Sequence, residues 1–181
     1  QQKKSSGGLV AGAGGLGLVT NASAAHGVTL RLGVAAGATN TLPGSAIGDR
    51  PDGTLALVKE GAGLLALDGA LGFDGGVRVA AGALRIDSPS ALGVGDVSFG
   101  TGGQLLLQAG GALDRMLYVD NQTFANDRST RLVAPPGETL TLTRGIDVPR
   151  AYEYGGFALQ PFDAGAGATR VVANGARFGY L

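Results

Sequence analysis

An all-β fold is predicted for this 181-residue chain: a right-handed parallel β-helix, or β-solenoid, with coils of about 20 residues. Three features point to it. Glycine is abundant, short runs of alternating apolar and polar residues recur, and those runs return at a near-constant spacing.

Glycine accounts for 34 of the 181 residues, more than twice the usual share of about 7%. A Gly-X-Y period is absent and prolines number only 7, so collagen is excluded. With 44% apolar and 15% charged residues, the balance is the reverse of a disordered chain, which has too little apolar surface to offset its ordering entropy. The chain is long enough to bury a core as a single domain.

Helical periodicity is nearly missing and period-2 runs dominate. They occur at Val28–Leu32, Thr54–Val58, Val77–Val79, Ala83–Ile86, Val97–Phe99, Gln104–Leu107, Thr139–Thr143 and Thr169–Val172. Glycines such as Gly61, Gly63, Gly69, Gly75-Gly76, Gly82 and Gly102-Gly103 separate them. A run of three to five residues suits one flat side of a coil, and glycine supplies the positive φ that turns the chain onto the next side.

Spacing carries the most weight. Leu55 to Val77 is 22 residues and Val77 to Val97 is 20, while Leu65 to Leu84 is 19 and Leu84 to Leu105 is 21. Coils stacked at this period are expected to line up Leu57, Val79 and Phe99 as one interior column, with peptide groups paired between neighbouring coils. An antiparallel sandwich is the competing reading. Asp52-Gly53, Asp68-Gly69, Asp74-Gly75 and Asn174-Gly175 would supply its hairpin turns, but the regular long period favours the solenoid.

Residues 1–117 read as the regular, glycine-rich solenoid and 118–181 as less regular terminal coils or a cap of the same solenoid. Eight of the ten aromatic residues fall in the second part, at Tyr118, Phe124, Tyr152, Tyr154, Phe157, Phe162, Phe178 and Tyr180. Filling and closing an otherwise open end is the favoured role for them. The sharper reading makes Tyr152, Tyr154 and Phe157 an exposed patch that contacts a sugar or a neighbouring subunit.

The stretch Leu55–Ile86 reads LALVKEGAGLLALDGALGFDGGVRVAAGALRI. It resembles the passenger-associated transport repeat of bacterial autotransporters at Lys59, Gly61, Gly63, Leu65, Leu67, Gly69, Phe73, Gly75, Gly76, Val79, Gly82 and Leu84. Ser90-Ala91-Leu92-Gly93 and Gly95-Asp96-Val97 are similar to the segment that follows that repeat, so the match covers 55–97. Leu71 and Gly72 stand where the repeat usually carries an asparagine before its aromatic. The resemblance implies a right-handed parallel β-helix, export across or display on the bacterial outer membrane, and a stalk-like role.

Chemistry-bearing motifs are sparse. Gly12-Ala13-Gly14-Gly15-Leu16-Gly17 fits G-x-G-x-x-G, but no acid follows until Asp49, so a dinucleotide site is not expected. His26 is the single histidine and cysteine is absent, which argues against a zinc centre. The acids mostly adjoin turns, where Asp is favoured for local hydrogen bonding. Asp120-Asn121 with Asn126-Asp127 is the tightest group, a calcium candidate that reads more simply as a turn. Asn21-Ala22-Ser23 and Asn121-Gln122-Thr123 fit the glycosylation sequon.

No catalytic residue, cofactor or metal is therefore expected, and the chain is read as a non-enzyme. Fourteen basic and fourteen acidic residues cancel, which disfavours nucleic acid as a partner, and no apolar run is long enough to insert in a membrane as a helix. The first residue is Gln, so the chain is expected to be a mature product or part of a longer precursor. The expected role is a structural or adhesive segment of an exported bacterial cell-surface protein, acting as spacer or stalk. Its expected partner is protein, through self-association or neighbouring coils of a longer chain, with a cell-surface glycan second. A self-assembling extracellular filament subunit is the alternative, ahead of a glycan-cleaving enzyme.

Overall fold

The computed structural model describes residues 27–44, 47–48, 54–119, 131–134 and 137–148, with further strands at 19–20, 158–161, 170–173 and 176–178. The chain winds in successive passes, each laying one strand on each of two long sheets.

The first pass holds β1 (Val19–Thr20), β2 (Val28–Gly33) and β3 (Thr39–Pro43); the second holds β4 (Ile47–Gly48), β5 (Leu55–Glu60) and β6 (Leu64–Asp68). The third contributes β7 (Val77–Val79) and β8 (Gly82–Ile86), and the fourth a 3₁₀ turn at Pro89–Leu92, then β9 (Val97–Phe99) and β10 (Gly103–Leu107). The fifth has β11 (Gly111–Leu113), β12 (Leu117–Val119) and β13 (Arg131–Ala134). The sixth has β14 (Thr139–Leu142), β15 (Ile146–Val148) and β16 (Ala158–Pro161), and β17 (Arg170–Ala173) and β18 (Ala176–Phe178) begin a seventh.

Among the described residues these strands form a seven-stranded sheet, β2-β5-β7-β9-β12-β15-β18, and a six-stranded sheet, β3-β6-β8-β10-β13-β16. A third side carries β1-β4 early and β11-β14-β17 late, with the Pro89–Leu92 turn between, where Ala91 and Leu92 are buried. Neighbouring strands pair in parallel throughout, as at Leu57↔Val77 and Leu65↔Leu84. The Asp68-Gly69 and Asp74-Gly75 pairs lie between such parallel strands, so they do not close hairpins. The fold is a β-solenoid.

The step from pass to pass is shortest in the middle. On the seven-stranded sheet Leu57↔Val77, Val77↔Val97 and Val97↔Leu117 each advance 20 residues. On the six-stranded sheet Leu64↔Ala83 advances 19 and Gly82↔Gly103 advances 21. Outside this stretch the steps lengthen, to 27 at Val28↔Leu55 and 29 at Leu117↔Ile146. The extra residues after Val119 and Val148 fall on the same connection, from the seven-stranded to the six-stranded sheet.

Alternation builds the core. Leu30, Leu57, Val77, Val97, Leu117 and Ile146 follow one another in register along one inward ladder. Leu65, Leu84, Leu105 and Leu132 do the same across the other sheet. From Leu57 and Leu65 onward these side chains are buried, each contributing about 1.5–3 kcal/mol relative to exposure.

The expected column of Leu57, Val79 and Phe99 is corrected by this register. All three are buried, but Val79 and Phe99 stack with Lys59, whereas Leu57 belongs with Val77. Val77 likewise pairs with Leu57 and not with Leu55, whose carbonyl accepts the Gly75 N–H at 3.0 Å. A shift of two residues preserves the inward parity, so alternation alone does not distinguish the two alignments.

Corners between the sheets are closely packed. Gly82 adopts φ +66°, and a Cβ there would lie 2.7 Å from Gly63 O and closer still to Gly61 O. Any other residue would combine left-handed backbone strain with a collision against the preceding pass.

Candidate functional site

The outward side of the seven-stranded sheet is the candidate surface. Its register sets Arg31, Val58, Arg78, Ser98, Tyr118 and Asp147 in one outer ladder. Tyr118 is 40% exposed there, whereas Phe73 and Phe99 are fully buried. Small residues at Ala56, Gly75 and Gly76 leave a depression of about 140 Å³, rimmed by Thr29, Arg78, Asp96 and Ser98. Pockets that engulf small molecules run to about 300–1,000 Å³, so this shape offers contact, not enclosure.

Charge on this face is locally compensated. Arg31 and Glu60 form a 2.5 Å ion pair. Asp96 Oδ1 accepts the Met116 N–H at 3.0 Å and faces Arg144 Nη1 at 3.3 Å. Arg115 reaches the Pro89 carbonyl at 3.5 Å, while its Nε is buried without a hydrogen-bond partner. Burial pushes this guanidinium below its ordinary pKa, and Asp114 and Asp96 act in the opposite direction.

Several acids work between passes. Asp87 Oδ2 accepts the Gly69 N–H at 2.8 Å from the preceding pass, Asp96 holds Met116 in the following one, and Glu138 accepts the Gly110 N–H. At these three acids the carboxylate bonds run across the stack. Asp68 lies beside Asp87, whose side-chain hydrogen bond and negative charge raise the Asp68 pKa, with slight burial adding to them and Arg85 opposing.

The one buried charged side chain among the described residues is Lys59, with no exposed surface. Its Nζ donates to Glu60 O at 2.9 Å, Gly61 O at 2.6 Å and Ala81 O at 3.0 Å. Three donors meet three acceptors, which is what a buried ammonium requires. Burial lowers its pKa. Lys59 was legible from sequence only as a repeat position; its shared parity with Leu55 and Leu57 was the signal that it points inward.

Tyr152, Tyr154 and Phe157 lie outside the described residues, as do His26, Gly12–Gly17 and the group Asp120, Asn121, Asn126 and Asp127. In chain order, 120–130 fall between β12 and β13, and 149–157 between β15 and β16. Among the described residues no three His, Cys, Asp or Glu side chains gather to hold a metal, and no helix is long and apolar enough to cross a membrane. Compared with protein-family models, with curated proteins and with solved structures, the chain matches none.

Proposed function

We propose that this chain is a structural β-solenoid segment of an exported bacterial cell-surface protein, serving as spacer or stalk. The supporting observation is the interior of stacked parallel passes among the described residues, in which side chains are spent on the core and on ties between passes. The resemblance of Leu55–Ile86 to the autotransporter repeat supports the exported setting. Its outer face, with Tyr118 and a shallow depression rimmed by Thr29, Arg78, Asp96 and Ser98, suits attachment to protein or glycan better than turnover of a substrate. Proteinase treatment of intact source cells, with detection of the chain before and after, tests the placement. Loss of signal without lysis is expected; protection until lysis would refute surface display.

End-to-end stacking is the second reading, because β2 and β3 are terminal strands of their sheets among the described residues and edge strands template further pairing. Electron microscopy of purified chain separates the two: single short particles for a spacer, long rods for a filament subunit.

A further inference from the structure

Two alignments of the third pass on the second satisfy the alternation pattern. In the observed one Leu57 meets Val77 and Lys59 meets Val79. Sliding by two residues would oppose Leu55 to Val77 and Leu57 to Val79, with every inward side chain still inward. Chain length at the corner does not forbid the slide. For the same pass the step is 20 on one sheet and 19 on the other, so corners absorb differences in length. Leucine and valine columns are tolerant of such exchange.

Lys59 is not tolerant. Its ammonium is held by two carbonyls of its own corner, Glu60 and Gly61, and by Ala81 of the next pass. A two-residue slide of β7 displaces the corner that follows it by up to about 6.6 Å, taking the Ala81 carbonyl away from Lys59 and leaving a buried cationic donor without its third acceptor. We propose that Lys59 is the register key of the solenoid: its ammonium, caged by corner carbonyls of two passes, selects the 20-residue alignment over the 22-residue one. A buried polar group specifying register at the expense of plain apolar packing is a known use of such residues.

The absence of native cysteine permits a direct test by disulfide trapping in the full chain. Val58 and Arg78 are register partners, so their Cα atoms lie about 4.8 Å apart, within disulfide range. Ala56 and Arg78 are about 8 Å apart in the observed alignment, too far to bridge, but become partners after the slide. With Lys59 present, V58C/R78C is expected to cross-link and A56C/R78C to remain at background. In the Lys59→Met background both pairs are expected to cross-link in comparable yield. Cross-linking of the 58–78 pair alone in that background would overturn the proposal and reduce Lys59 to a packing residue. Should Lys59→Met fail to fold, Lys59→Arg keeps donors at the corner and is expected to give the 58–78 cross-link alone. A 56–78 cross-link in that variant would equally overturn the proposal.

Discussion

Replacing Phe99 with alanine probes the claim that the interior columns hold the solenoid together. Phe99 is fully buried and is flanked in register by Val79 and Val119. Both flanking passes are pinned by 20-residue steps, so the backbone has little freedom to collapse into the space left. Phe→Ala changes in cores cost about 3–5 kcal/mol, and the pinned geometry favours the upper half. For a domain of this size each kcal/mol lowers Tm by about 2–4 °C, which predicts a fall of about 8–20 °C. Ser98, the next residue, faces outward, and Ser98→Ala should stay within about 0.5 kcal/mol. Urea titration followed by far-ultraviolet circular dichroism measures both variants. Because each pass leans chiefly on its neighbours, Phe99→Ala should also broaden the transition. A loss below about 1 kcal/mol, or equal losses for both variants, would refute the columnar core.

Gly82→Ala should cost several kcal/mol, since about 1–3 kcal/mol of left-handed strain adds to a backbone collision; thermal denaturation reads it, and a neutral result would contradict the close corner. Glu60→Gln should cost less than about 1 kcal/mol, because the pair with Arg31 is exposed on both sides; any loss should vanish in high salt. Asp68 has a raised pKa in the folded chain, so its contribution to stability is complete below its ordinary pKa of about 4 and disappears as pH rises through the raised value. Asp68→Asn, which cannot ionise, should therefore gain stability over wild type progressively from about pH 4 toward neutrality; urea midpoints across pH check the sign, and a gap that narrows would refute it.

Much of the architecture was readable because its cause is local. Val77–Val79 and Val97–Phe99 were predicted with the bounds they have, since a three-residue strand with a glycine directly at one end admits few alternatives. The spacing of Val77 and Val97, and of Leu65, Leu84 and Leu105, matched the true register. Leu55 with Val77 did not, for parity survives a two-residue slide and the alignments differ only in contacts made between passes, such as those of Lys59 and Gly82. The strand Thr39–Pro43 escaped notice because it is polar and ends in proline; as a terminal strand of its sheet it is exposed except at Leu42, and an edge tolerates proline. The Asp68–Asp87 pair was equally hidden, being created by stacking of residues 19 positions apart and not by any local motif.

Among the described residues, strand pairing joins residues 19 to 31 positions apart, from Leu64↔Ala83 to Thr139↔Arg170. Ordering one circuit thus requires only the circuit laid down before it, and the loop-closure entropy at each stage is that of a short segment. Structure can accumulate like rope on a capstan, at the pace at which polypeptide arrives. A chain threaded through a narrow opening would not need its final residues in hand to secure those already through.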